Sequence, residues 1–176
     1  MYKAPANEQV QGAYNVSYAV SRAEHEVLNP AGVNCIRLFS REGVVLYGAR
    51  TVAKNPEWKY VNVRRLFNMI EESIALSTRW VVFEPNDHML WNSIVRDVRA
   101  FLMMQYRDGA LMGRTPEEAF YVQCNEETNP QESIDLGLVV TRIGIAPVKP
   151  AEFVVFQIGQ SSGGTKVEME KGGENA

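Results

Sequence analysis

Histidine is scarce in this chain. His25 and His88 are the two imidazoles among 176 residues, and neither stands at metal-ligand spacing from another histidine, cysteine or carboxylate pair. His25 lies between Glu24 and Glu26 on an expected surface helix, and His88 follows a helix cap. Adjacent Asp87 and His88 do not face each other at a helix start, so they form no part of a triad. There is no GxSxG elbow, no phosphate-binding P-loop, no Rossmann GxGxxG and no CxxC pair. Nothing in the chain therefore suggests general acid–base catalysis, and no enzymatic role, catalytic residue, metal or cofactor is expected. The acidic pair Glu126–Glu127 reads as a solvated turn rather than a cation site.

Other absences narrow the field further. Apolar runs are far too short to span a bilayer, and the opening MYKAPANEQV lacks the basic-then-apolar pattern of a signal peptide. The two cysteines, Cys35 and Cys124, lie far apart in apolar segments, as expected of buried thiols in a reducing compartment. A net charge of −3 demands neither nucleic acid nor membrane as partner. Charge is nevertheless uneven: Arg50 to Arg114 holds ten basic and seven acidic residues, Thr115 to Glu152 two and seven. Solvated helix faces explain this as well as paired surfaces of opposite sign do.

What is present is a full-sized domain with clear local patterns. Ser21-Arg22-Ala23-Glu24 is a capping box that opens a short helix, stopped at Asn29-Pro30. Val33–Phe39 and Val44–Gly48 read as a hairpin across Ser40-Arg41-Glu42-Gly43. Val63, Leu66, Phe67, Ile70 and Ile74 recur at helical spacing, as do Trp91, Ile94, Val98, Phe101 and Leu102. Asp87 caps the second of these helices and Gly109 ends it. Between them Trp80-Val81-Val82-Phe83 reads as a strand covered on both sides. Thr115-Pro116-Glu117-Glu118 is a second capping box. Tyr121–Cys124 and Leu136–Ala146 read as strands around an acidic loop, NEETNPQES. The expected class is α+β, a small mixed sheet with packed amphipathic helices.

The most strand-like segment comes last. Glu152, Phe153, Val154, Val155, Phe156, Gln157 and Ile158 follow Pro147 and Pro150 and precede a glycine-rich tail. Phe153, Val155 and Gln157 point one way and Val154, Phe156 and Ile158 the other, so both faces call for cover. The prolines donate no ladder hydrogen bonds, which favours an extended, separable lead-in. Such a strand either closes the chain's own sheet or is added to the edge of another's.

Several long stretches resemble the contractile tail sheath family. They are LYGARTVAKNPEWKYVNVRRLFNMIEESI (Leu46–Ile74), WVVFEPND (Trp80–Asp87), TPEEAFYVQCNEETN (Thr115–Asn129) and IGIAPVKPAEFVVFQI (Ile143–Ile158), with YKAPAN (Tyr2–Asn7) and LNPAGVNCIR (Leu28–Arg37) ahead of them in the same order. The resemblance runs from about Tyr2 to Gln160. That family covers bacteriophage tail sheaths, R-type pyocins and extracellular contractile injection systems, with more distant kin in type VI secretion. Asn125 and Tyr47 stand where the family pattern has Asp and Trp. Family members are longer, with an N-terminal arm and outer domains ahead of the YKAPAN region. The chain thus corresponds to the C-terminal sheath domain of a longer protein, to the ordered part of one, or to a minimal sheath.

The resemblance implies a domain whose sheet is completed by extended arms exchanged between subunits. On that basis residues 1–20 are a lead-in, 21–149 the sheath domain, 150–160 an arm donated to a neighbour and 161–176 a tail. It also implies a helical homopolymer of stacked hexameric rings around an inner tube protein, with baseplate and terminator proteins at its ends. Nucleic acid and membrane insertion have no part in it. Assembly in the bacterial cytoplasm, into a virion tail or an extracellular particle, is implied too. The helix from His88 to Gln105, with Arg96, Arg99 and Arg107, is the candidate tube contact; a plain solvated helix face is the other reading. Outside the resemblance, a monomeric adaptor that binds a peptide at an open sheet edge fits the same residues.

Overall fold

The structure is a computed structural model, and it describes residues 3–152. Among the described residues there are five α-helices and five strands, and the strands form two separate antiparallel sheets. The α+β class stands, with two small sheets in place of one mixed sheet. The first has the order β1–β3–β2, from β1 (Glu8–Gln9), β2 (Cys35–Phe39) and β3 (Gly43–Tyr47). The second pairs β4 (Phe120–Gln123) with β5 (Arg142–Ile145).

The helical body follows the sequence periodicity closely. Helix α1 (Arg22–Leu28) carries the expected capping box: Ser21 Oγ accepts from Glu24 N, and the Glu24 carboxylate accepts from Ser21 N. Helix α2 (Val61–Ser77) buries Val63, Leu66 and Ile70, and Phe67 sets its ring edge-on to Trp58 at 4.7 Å. Helix α3 (His88–Arg107) is capped by the Asp87 side chain accepting from Leu90 N, and it buries Trp91, Ile94, Val98 and Leu102. Leu66 and Ile70 of α2 and the buried face of α3 join Ala110, Leu111, Ala119 and Phe120 in one cluster. At about 1.5–3 kcal/mol for each large apolar side chain removed from water, this cluster is the main source of stability.

Three local expectations fail. Trp80–Phe83 is not a covered strand: a 3-10 turn spans Arg79–Val81, Val82 and Phe83 are exposed, and Phe83 has φ 72°. Its backbone is satisfied by short-range bonds, Val81 N to Thr78 O and Glu84 N to Val81 O, so no neighbouring strand is recruited. A four-residue apolar run between a helix end and Pro85 carries too little period to name its partner. Strand β5 occupies only Arg142–Ile145, because helix α5 (Gln131–Asp135) is capped at Leu136, a turn follows at Leu136–Gly137, and residues 138–141 are irregular. Helix α4 (Pro116–Ala119) is a single turn in which the Thr115 side chain makes no cap bond; the Glu118 carboxylate reaches back to Arg114 N instead.

The acidic loop is held from inside by Asn129, 2 % exposed. Its Nδ2 donates to Val140 O and its Oδ1 accepts from Val140 N, so one amide side chain takes the place of a strand partner. Asn125 opens the loop as an Asx turn, its Oδ1 accepting from Glu127 N and Thr128 N. Gly144 of β5 lies beneath Tyr121 of β4; a Cβ there would fall 2.0 Å from the ring.

Candidate assembly interface

Strand β3 is the centre of its sheet and β2 one edge. On β3, Val44 and Val45 point to opposite faces and both are buried. On β2, Ile36 and Leu38 are 47 % and 49 % exposed. Among the described residues β2 has no second neighbour, so the backbone groups on its outer side are open. An edge of this kind, carrying half-exposed apolar side chains, is a template for another strand. The other edge is partly taken by the chain itself, with Glu8 opposite Leu46 and Gln9 opposite Val45.

The opposite face of this sheet is polar and aromatic. The Arg37 guanidinium lies over the Phe39 ring at 5.2 Å and over the Tyr47 ring at 5.5 Å. His25 of α1 tilts against Tyr47 with ring centroids 5.1 Å apart, and its Nε2 is 3.1 Å from Tyr47 O. A cavity of roughly 590 Å³ opens there, bounded by the lead-in at Ala4–Asn7, by α1, by Phe39 and Tyr47, and by Pro150, Ala151 and Glu152. Residues that lead to the C-terminal segment thus pass beside this sheet.

Their route is built from backbone pairing. Met112 N donates to Ala146 O at 2.7 Å, Val148 N to Ala110 O at 3.2 Å, and Asn62 Nδ2 to Val148 O at 3.0 Å. The path ends at Glu152, whose carboxylate receives four donors. Arg50 Nε donates to Oε1 and Arg50 Nη2 to Oε2, both at 2.8 Å; Tyr60 OH donates to Oε2 at 3.1 Å, and Lys59 Nζ is 3.0 Å from the same oxygen. Arg50 and Glu152 expose 11 % and 15 % of their side chains. The Arg50 hydrogen bonds, helped by Lys59 and Tyr60 and opposed by burial, lower the Glu152 pKa from the ordinary 4.5 to about 2. Hydrogen bonding to Glu152 raises the pKa of Arg50 and Lys59 in turn.

Arg50 is itself held firmly. Asn34 Oδ1 accepts from Arg50 N, Asn34 Nδ2 donates to Arg50 O, and Arg50 Nη1 donates to Asn29 O at 3.3 Å. Gly48 makes this possible, since a Cβ there would lie 2.7 Å from Asn34 Oδ1. Glu152 heads the segment expected to form the terminal strand, and Phe153, Val154, Val155, Phe156, Gln157 and Ile158 lie outside the described residues. Sequence reading missed the carboxylate's partners, although Arg50, Lys59 and Tyr60 all fall within one quoted stretch.

The three arginines expected to meet a tube are exposed on α3. At about 100° per residue they fall within an arc of ~80°. Arg96 pairs with Asp97 at 3.0 Å and Arg99 with Glu117 at 3.1 Å, both in the open. Met89 and Met104 are exposed on the same helix, at 78 % and 53 %. Of the histidines, His25 lies against Tyr47, while His88 packs edge-on to Trp91 at 4.7 Å with its Nε2 3.7 Å from Glu126. Among the described residues no group of three or more His, Cys, Asp or Glu is placed to hold a metal ion, and no helix is long and apolar enough to cross a membrane. Cys35 and Cys124 are buried free thiols.

Known proteins share both this sequence and this shape. The tail sheath protein of Vibrio phage KVP40 is 29 % identical over 149 residues, covering 84 % of this chain and 21 % of its own length. That of Salmonella phage ViI is 31 % identical over 152 residues, covering 84 % and 23 %. The chain therefore spans under a quarter of these relatives. A chain of the anti-feeding prophage baseplate superposes with a TM-score of 0.87 and 37 % identity, over 91 % of this chain and 45 % of that one. A chain of the sheath complex of the extracellular contractile injection system PVC, in its contracted state, gives 0.87 and 34 %, over 92 % and 46 %. Residues 53–161 match the family described as the phage tail sheath C-terminal domain. With that match across more than half of its length, the chain belongs to the phage tail sheath C-terminal domain family.

Proposed function

We propose that this chain is a structural, non-catalytic subunit of a contractile sheath, which polymerises as a helical tube around an inner tube and shortens to drive that tube through a target envelope. The observation that carries this reading is the superposition on a sheath chain in its contracted state, over 92 % of this chain. The open β2 edge supports it from the residues upward. A terminal segment rich in Val and Phe, added to that edge on a neighbouring copy, would gain main-chain hydrogen bonds and cover Ile36 and Leu38 together. At about 1.5–3 kcal/mol per large apolar side chain buried, before ordering costs, one arm is enough to tie two copies together.

Arms of this kind keep copies connected while domains rotate and slide, so a metastable extended packing can relax to a tighter one with no nucleotide consumed. The exposed arginines of α3 suit a tube contact that must let go. Exposed ion pairs are individually worth about 0–1 kcal/mol, so many act together when aligned and few resist a rotation. The particle is then a virion tail or an extracellular contractile device, assembled in the bacterial cytoplasm, with baseplate and terminator proteins as further partners.

Electron microscopy of the purified chain, alone and co-expressed with an inner tube protein, tests the proposal. Rings or hollow tubes are the expected result. A stable monomer under both conditions overturns it and favours a peptide-binding adaptor that uses the same edge.

A further inference from the structure

The Glu152 side chain stands at the end of the C-terminal path and is heavily bound. Four donors from three residues converge on its carboxylate, and Arg50 reaches it with a two-pronged fork. The donors come from the segment that joins the β1–β3–β2 sheet to α2. Arg50 and Tyr60 form an antiparallel bridge there, and Thr51 N donates to Lys59 O at 2.8 Å. Through Asn34 and Asn29, Arg50 is also bonded to the residue preceding β2 and to the end of α1. Glu152 thus fastens the end of the C-terminal path to a residue that already links the hairpin to the helical body.

We infer that Arg50, Lys59, Tyr60 and Glu152 form a joint that fixes the point and direction at which the C-terminal segment leaves its own domain, so that the donated strand begins after Glu152. A bidentate guanidinium–carboxylate pair constrains orientation as well as distance, which a single ammonium contact does not. Holding the Glu152 side chain at two atoms thus sets where the described path ends and which way its last residue faces. The role assigned to the joint in assembly rests on the sheath reading; the joint itself is a property of one chain. In a polymer, tension from a neighbour on the arm would be delivered to Glu152 and shared between sheet and helices, instead of peeling residues 146–148 from Ala110–Met112.

Pulsed electron paramagnetic resonance on the full chain tests this. Nitroxides are placed at Glu71→Cys on α2 and Phe153→Cys, with the buried Cys35 and Cys124 thiols left unlabelled. The expected result is a narrow distance distribution in the parent and one several-fold broader in Glu152→Gln. A broad parent distribution, or equal widths in parent and variant, overturns the joint. Should Glu152→Gln lose its cooperative melt, Arg50→Lys keeps the charge and removes the fork; it is expected to broaden the distribution, and an unchanged width overturns the joint equally. Polymer formation is scored on the same samples by negative-stain microscopy. A parent that never polymerises counts against the sheath reading and leaves the distance result standing.

Discussion

The Arg50 guanidinium and the Glu152 carboxylate meet fork to fork, with both nitrogen–oxygen distances at 2.8 Å, across 102 positions of sequence. Both side chains are largely covered, so water screens the pair little. Removing one partner would leave a buried charge without its counterpart, and that costs more than the pair contributes when intact. The pair therefore has consequences for stability that exposed ion pairs such as Arg96–Asp97 lack.

Acid should release it. The folded pKa of Glu152 is lowered to about 2 from the ordinary 4.5, so its contribution to stability is fully present above pH ~4.5 and disappears as pH falls through ~2. A lowering of this size corresponds to about 3–4 kcal/mol at neutral pH as an upper bound, which the residual solvent screening of the pair reduces. Melting temperatures of parent and Glu152→Gln, measured from pH 7 down to 2, are expected to differ at neutral pH and to converge at the acid end. A constant gap across that range would show that the carboxylate's charge is not what matters.

Ending the chain after Glu152 separates folding from assembly. The described core lies wholly before that residue, so the shortened chain should melt with a midpoint close to the parent's. It should fail to form rings or tubes. Loss of the cooperative melt would mean that the missing strand closes the chain's own sheet.

Reversing Arg96, Arg99 and Arg107 to glutamate should reduce co-assembly with an inner tube while leaving the monomer folded. All three are exposed, and the Arg99–Glu117 pair is worth at most about 1 kcal/mol. Co-sedimentation over a salt series is the measurement. Unchanged recovery of the tube at every salt concentration would remove α3 from the contact.

Asn129→Ala should cost about 1–3 kcal/mol, since it removes a buried amide that satisfies both Val140 N and Val140 O. Chemical denaturation would register this as a lower midpoint with an unchanged slope. A loss below ~1 kcal/mol would mean that water takes over the amide's role.

Legibility in the sequence followed the range of the interaction concerned. Helices α2 and α3 could be read almost residue for residue, because Val63, Leu66 and Ile70, or Trp91, Ile94, Val98 and Leu102, repeat with the helix itself. Caps at Ser21 and Asp87 were equally plain, each being a bond across three residues. Trp80–Phe83 misled, since a short apolar run looks alike in a strand, a turn or a contact surface. Asn129 gave no warning: an asparagine in a polar loop looks solvated until the backbone of residue 140 is folded against it.

Sequence alone determined the helical body, the hairpin at Cys35–Tyr47 and the family, all of which depend on local periodicity or on ordered stretches of residues. The tertiary structure decided that the strands divide into two sheets, that the β2 edge stays open among the described residues, and that Glu152 is bound by Arg50, Lys59 and Tyr60. Local preferences act within a turn or two and leave a regular trace in residue order. A carboxylate's choice of partner 102 positions away is made only when packing brings both groups out of water into one place.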